Sequence, residues 1–370
     1  MFTKKTKEDE QAASADADIR TRPDRVGKHL EKHLSKFVFD EFSDAYLTRG
    51  GISFMQGVPV PLRKEDMADF HSAEGLSALR IGENMAYVMG ISPQFPYAGN
   101  YVKFLKTCFR GNAAEVLVRE AKSLAGHVRS TDMPRTPDGS RPAAGTTLAE
   151  REEPDQACIY FRAALCMEPK NLEAMYGYAM ACRAMYLNGG DSAYVGNLKA
   201  EALEYFELTA AAFPRFPMAH YYLGYAYLNL GLYQKAYLTW KTYLKYSDHA
   251  QDRKEIRERI RQLAEPLEIE KGCNAVLAGR WHEGIDILEP YVNGKYSDWW
   301  PLYYYLGAAY HGSAQGEEAE EMFKQALRLC PSHVESMDAL AQLYTEAGEG
   351  TLAKKYSQKA ALIRSGGHTS

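Results

Sequence analysis

The feature that most restricts this chain is that it repeats itself, with a period of about 34 residues. Tyr303, Leu306, Gly307, Tyr310, Ala319, Phe323, Ala326 and Pro331 set the template, and one period later stand Leu340, Ala341, Tyr344, Ala353 and Ala360, with Ser357 in place of the aromatic. His220, Leu223, Gly224, Tyr227, Ala236 and Trp240 follow the same spacing. Two segments carry its second half alone, Ala157, Phe161, Ala164, Pro169 and Ala202, Phe206, Thr209, Pro214, while Gly272, Ala275, Gly279, Gly284, Leu288 and Tyr291 form a weaker copy. A repeated unit of this length cannot bury an apolar face alone, so neighbouring copies must stack and share one core.

These residues resemble the tetratricopeptide repeat family, whose copies place a large residue, Leu-Gly, Tyr, Ala, an aromatic, Ala and Pro at fixed offsets. The resemblance covers about residues 113–363 and implies an all-α solenoid of antiparallel hairpins, a superhelix of stacked pairs. The physical reasons can be read from the residues. Gly224, Gly307, Ala236 and Ala319 are small where two helices touch, Trp240 and Phe323 fill the space between hairpins, and Pro214 and Pro331 stop a helix.

The pattern is interrupted in three places. Around LNGGDSAYVGN the spacing exceeds the period, so the first helix is expected to run on and a longer loop to follow. Residues 251–264 read as an extra charged helix with Ile256, Ile260 and Leu263 on one face. Residues 128–152, rich in Pro, Gly, Ser and Thr, read as a flexible loop between the two helices of one hairpin.

Ahead of the repeats, residues 1–25 are expected to be a disordered tail, and so are residues 364–370. Residues 26–110 read as a helical segment with a short extended stretch. Leu30, Leu34, Phe37, Val38, Phe42 and Tyr46 predict one amphipathic helix from Val26 to Tyr46. Pro59 and Pro61 push Val58 and Val60 to extended backbone. Helices are expected over 73–89 and 96–109, either as a divergent hairpin or as a cap on the first repeat. Ala86, Gly90 and Ser92 imitate the turn of a DNA-reading helix pair, but the next helix opens with prolines and no base until Lys103, so a glycine-capped hairpin is the better account.

Several chemistries find no support. A net charge of -4 gives no general pull toward nucleic acid or acidic membrane. No stretch approaches the roughly 20 apolar residues that cross a bilayer. The six cysteines contain no C-x-x-C pair, so neither a disulfide framework nor a zinc site is expected, and they suit a reducing cytoplasm. His29 and His33 are a turn apart but lack metalloprotease spacing, and read as surface histidines. His282 and Glu283 fall at a repeat turn, and GEGTLAKK lacks the ending of a phosphate loop. No catalytic residues, metal or cofactor are assigned.

The expected function is therefore protein interaction in the cytoplasm, with a peptide or helix, or with a second copy of the chain. In the resembled family the first helix of each hairpin lines a concave groove. That phase makes Tyr176, Arg183, Tyr221, Tyr225, Asn229, Tyr304 and His311 the candidate binding residues, with Tyr176, Tyr221 and Tyr304 at one equivalent groove position. Tyrosine suits recognition, offering a flat face and a hydroxyl at small entropic cost. Family members that clamp a chaperone's C-terminal carboxylate use lysine, asparagine and arginine there, so such a clamp is not expected. Two alternatives stay open: a peptide-responsive receptor whose residues 26–110 act on a target, and an enzyme with an unrecognised N-terminal site.

Overall fold

The computed structural model of the chain describes residues 18–72, 75–109, 112–128 and 153–365, and within it two compact units divide the sequence, Met1–Ala226 and Tyr227–Ser370. Both are built from antiparallel helix hairpins of the α-solenoid class. The expected loop over 128–152 and the termini 1–17 and 366–370 lie outside the described residues, apart from Val128, the last residue of a helix.

The first unit opens with α1 (Gly27–Leu30), a 3-10 turn (Glu31–Lys36), β1 (Phe37–Asp40), α2 (Asp44–Gly50), β2 (Val60–Arg63) and α3 (Met67–Phe70). There follow α4 (Ala78–Ile91), α5 (Ala98–Cys108), α6 (Ala113–Val128), α7 (Glu153–Met167), α8 (Leu172–Leu187) and α9 (Ser192–Ala212). α6 pairs with α7, α8 with α9, and α7 packs on α8. α4 pairs with α5 and lies against α7, so the segment before the repeats supplies the hairpin that covers their open end. Local chemistry sets the helix starts. Ser77, Asn171 and Asp191 each accept a backbone N–H of the first turn (Arg80, Ala174 and Tyr194, at 3.2, 2.9 and 2.8 Å).

The helix boundary at the second unit is α10 (Pro217–Asn229), and that unit continues with α11 (Tyr233–Tyr246), α12 (Ala250–Gln262), α13 (Ala264–Leu277), α14 (Trp281–Leu288), α15 (Trp300–Gly312), α16 (Gly316–Leu329), α17 (Val334–Glu346) and α18 (Gly350–Arg364). α13 pairs with α14, α15 with α16, and α17 with α18. The core between them holds Leu302, Leu306, Phe323, Leu340 and Tyr344. α12, the charged helix, buries Ile256, with Leu263 buried just after it, and exposes most of its other side chains.

The repeat spacing works through close approach. A side chain built on Gly307 would meet the Phe323 ring at 2.7 Å, and one on Gly272 would meet Leu288 at 2.7 Å, so each pair of helices can touch only where glycine stands. The template positions Ala157, Phe161, Ala236, Trp240, Ala319, Phe323, Leu340 and Ala360 are all buried. The contact is tightest at Gly90 of α4, where a Cβ would fall on the Ile159 carbonyl oxygen of α7. The residues that imitate a DNA-reading turn are thus the crossing point of two helices.

Four expectations are corrected. The single helix over Val26–Tyr46 is broken into α1, the 3-10 turn and β1, because Phe37–Asp40 pairs antiparallel with Val60–Arg63 (Phe37 opposite Arg63, Asp40 opposite Val60). Tertiary pairing overrides a helical spacing here. Within the tail expected to be disordered over 1–25, residues 18–25 pack on the unit, where Ile19 is buried and Arg22, Asp24 and Arg25 find partners. Near Gly189 the first helix does run on, over Leu172–Leu187, but no longer loop follows: a turn at residues 188–191 with Gly189 at φ +87° leads straight to the Asp191 cap of α9, which takes up the rest of the surplus. Finally, His33 is not on the surface: it is 1% exposed, 3.5 Å from the Asp155 carboxylate, with the Tyr87 hydroxyl 3.3 Å from its Nδ1. His29 and Lys32 reach the same Asp155 oxygen at 3.2 and 2.6 Å. Burial works to raise the Asp155 pKa, but His29, His33 and Lys32 together hold it well below the usual carboxylate range.

Arg162 of α7 is 1% exposed and binds four groups. It donates to the Asp24 carboxylate at 2.6 and 2.9 Å, to the Gly90 carbonyl at 2.7 Å, to the Ile91 carbonyl at 3.2 Å and to the Tyr178 hydroxyl at 3.2 Å. Burial acts to raise the Asp24 pKa, yet Arg162 and the N–H groups of Gly27 and Val26 hold it below its ordinary value. Tyr178 in turn donates to Glu201 at 3.0 Å, which receives Arg25 at 3.0 Å.

Two predictions follow from these contacts. Gly90→Ala should overpack the α4–α7 crossing and cost about 1–3 kcal/mol, as much from one methyl as Gly307→Leu in the second unit. Chemical denaturation of both variants checks this, and an unchanged midpoint for Gly90→Ala would show that the crossing tolerates a side chain. Asp24→Asn should cost about 3–5 kcal/mol at pH 7, since it leaves a fully buried guanidinium without its counter-charge. The folded pKa of Asp24 is depressed, so its contribution is complete above the unfolded value of about 3.9 and disappears as pH falls through the folded value. The gap between wild type and Asp24→Asn should therefore narrow below about pH 4.

Candidate functional site

The second unit contains a cleft of about 530 Å³. Its wall is formed by α13, through Ile269, Glu270, Cys273, Asn274 and Leu277, and by the start of α15, through Trp299, Trp300, Pro301, Tyr304 and Tyr305. Gly231 and Tyr233 close one side and His333, the N-cap of α17, another. Gly231 adopts φ +71°, the left-handed turn that ends α10 and lets Leu232 N–H bond the Tyr227 carbonyl at 2.9 Å. Pro301 fits because the first turn of α15 needs no N–H there.

The polar groups are few and held. Glu270 accepts the backbone N–H of Gln234 at 2.6 Å. His333 shares a 2.7 Å hydrogen bond with Ser336 Oγ and packs its ring on Trp300 and Tyr304, with centroids 4.1 and 4.9 Å away. Burial lowers the pKa of His333, so at neutral pH the imidazole is uncharged. Burial also pushes the Cys273 thiol up to about 12, which keeps it protonated and a poor nucleophile. Leu277 is 71% exposed and Trp299 37% exposed, so large apolar side chains face solvent at the edge of the cleft. The arrangement offers surface for contact rather than an activated nucleophile.

The candidate residues read from the sequence fall in two groups. Tyr304 lines this cleft and is half-buried against Phe323 and His333. His311 is further along α15 and pairs with Glu346 at 2.8 Å, and Asn229 is exposed at the end of α10; neither lines the cleft. In the first unit Tyr176, Arg183, Tyr221 and Tyr225 gather around two rings the sequence reading passed over. Tyr176 meets Phe216 edge-on at 5.1 Å and Tyr222 at 6.3 Å. Tyr221 meets Tyr222 at 5.1 Å and Tyr225 at 5.2 Å, while the Arg183 guanidinium is 5.2 Å from the centre of the Tyr222 ring. All four are half-buried, so each packs on neighbours and still presents a face.

Sequence reasoning missed Leu277, Trp299, Trp300, Tyr305, Glu270 and His333. Trp299-Trp300 directly before Pro301 was the available signal, since two adjacent tryptophans at a helix start cannot both face one core. Among the described residues no group of histidine, cysteine and carboxylate side chains could hold a metal ion, and no helix is long and apolar enough to cross a membrane.

The sequence profile described as tetratricopeptide repeat matches residues 187–240. Solved structures similar to the chain include "MamA 41-end from Desulfovibrio magneticus RS-1", 21% identical over 54% of this chain and 97% of its own, with a TM-score of 0.30. The P58(IPK) TPR domain is 19% identical over 67% of this chain and 62% of its own, with a TM-score of 0.35. The APC/C hetero-tetramer Cut9-Hcn1 is 14% identical over 78% and 50%, with a TM-score of 0.30. No curated protein matches the chain. The glycine and aromatic template positions are packed as helix contacts, and residues 187–240 match the tetratricopeptide repeat.

Proposed function

We propose that this protein is a non-enzymatic interaction module of the cytoplasm that takes up an extended or helical segment of a partner protein in the aromatic cleft of its second unit. The observation that carries the reading is the combination of an open cleft with large apolar side chains left at its edge, Leu277 and Trp299. Exposed apolar surface rimmed by polar groups marks contact sites, and tryptophan and tyrosine supply most of the binding energy at such sites. Tyr304 belongs to this site as the half-buried floor. The rings around Tyr176, Tyr221 and Tyr225, with Arg183, are a second contact face in the same reading, and Asn229 and His311 are assigned only as flanking groups.

Leu277→Ala and Trp299→Ala remove surface that already faces solvent, so the melting temperature should hardly move. Capture of the partner should weaken by about 2 kcal/mol or more for Trp299→Ala, as it does for interface aromatic anchors. Isothermal titration against the captured partner, with a thermal melt of each variant, checks both halves. Unimpaired binding by the doubly substituted protein would remove the cleft from the reading and leave the tyrosine face of the first unit in its place.

A further inference from the structure

The charge around the cleft narrows what it accepts, given the reading that the cleft binds a partner segment. None of the described residues lining it is lysine or arginine, while Glu270 is part of its wall. Glu335 Oε2 lies 3.2 Å from His333 Nε2, and burial keeps that imidazole neutral, so it does not cancel the carboxylate. Glu335 and Asp338 both act on the Tyr304 hydroxyl, raising its pKa further than burial alone. Asp338 has its own counter-charge in Arg364, which leaves Glu270 and Glu335 as the uncompensated pair. The rings themselves add negative potential, because the π face of tryptophan or tyrosine attracts cations.

We infer that the segment held here carries a cationic side chain, lysine or arginine, seated on the aromatic wall of Trp299, Trp300 and Tyr304, with Glu270 and Glu335 as its counter-charges. An acidic or carboxylate-terminated segment would meet like charge in a site whose described lining has no lysine or arginine to receive it. A wholly apolar segment would cover Glu270 without giving its charge a counter-ion beyond the Gln234 N–H it already accepts, which is costly. A cation with a long apolar stem meets both demands, since its methylenes lie on the rings while its head reaches the carboxylates.

The test uses the full chain and three blocked pentapeptides: acetyl-Leu-Arg-Leu-Arg-Leu-amide, the same peptide with citrulline for arginine, and the same with glutamate. Citrulline keeps the shape of arginine and removes its charge. Binding is read by calorimetry and by the indole N–H signals of the tryptophans. The arginine peptide should shift the signals of Trp299 and Trp300 and leave buried Trp240 unmoved. It should bind about tenfold more tightly than the citrulline peptide, and the glutamate peptide should be weaker still. Glu270→Gln and Glu335→Gln should each weaken the arginine peptide severalfold while leaving the citrulline peptide unchanged. Equal binding of the arginine and citrulline peptides, or arginine binding indifferent to both substitutions, would overturn the cationic assignment. No shift with any of the three would also overturn it, whereas the binding role of the cleft itself falls only on the Leu277 and Trp299 variants.

Discussion

The first unit depends on one buried charge. Arg162 could not stay ionised out of water without partners, and an isolated guanidinium at 1% exposure would cost several kcal/mol. It is satisfied by groups from three separate parts of the chain: the Asp24 carboxylate of the segment before α1, the carbonyls of Gly90 and Ile91 at the end of α4, and the Tyr178 hydroxyl of α8. The last carbonyls of a helix have no partner inside it, so a cation placed there meets an acceptor that would otherwise be lost in the interior. Removing any one of these elements strands the others. The chain continues outward through Tyr178 to Glu201 and on to Arg25, and Arg22 and Arg25 also pair with Glu204. That network is why residues 18–25, poor in apolar side chains, nevertheless pack on the unit.

The same crossing explains why Gly90 and Arg162 belong together. The backbone of α4 can approach the Ile159 carbonyl of α7 only because Gly90 has no side chain, and that approach brings the Gly90 carbonyl within 2.7 Å of Arg162 Nε. In the second unit the corresponding job is done without charge, by Gly307 under Phe323 and Gly272 under Leu288. Stacked hairpins therefore close either by fitting ring to glycine or by fitting cation to helix end. The first is repeated from copy to copy; the second joins the repeats to a hairpin of different sequence at Arg162, and recurs at the end of α11, where Arg253 donates to the Leu244 and Ser247 carbonyls.

This difference decides what could be read before the structure. Glycine, alanine and aromatic positions recur at a fixed offset, so the hairpins from residue 113 onward and the phase of Leu306, Gly307 and Phe323 were legible, and so was the charged helix now placed at Ala250–Gln262. Arg162 stands one place after a template aromatic, and nothing local marks it as buried. Its role is set by Asp24, 138 residues away, and by carbonyls that carry no sequence identity. The β1–β2 ribbon was hidden for a similar reason, because Phe37 and Val38 fit a helical stripe as well as a strand until Val60–Arg63 is found beside them. His33 looked like a surface residue because its neighbours are lysines, and only the arrival of Asp155 from α7 accounts for its burial.

The candidate site shows the limit of phase as a guide to function. A repeat template says which side of a helix faces the neighbouring hairpin and which side does not, and by that phase it singled out Tyr304, which lines the cleft while packing on the template residue Phe323. It says nothing of residues at helix starts and turns, where Trp299, His333 and Gly231 supply much of the cleft. Those positions are released from the packing rule because the turn between hairpins touches few neighbours, and they can vary in size and charge without unstacking the helices. A binding site on such a scaffold is consequently specified where the template is silent. In this chain that silence is filled by two tryptophans and a neutral histidine, which with Glu270 give the cleft both its apolar wall and its sign of charge.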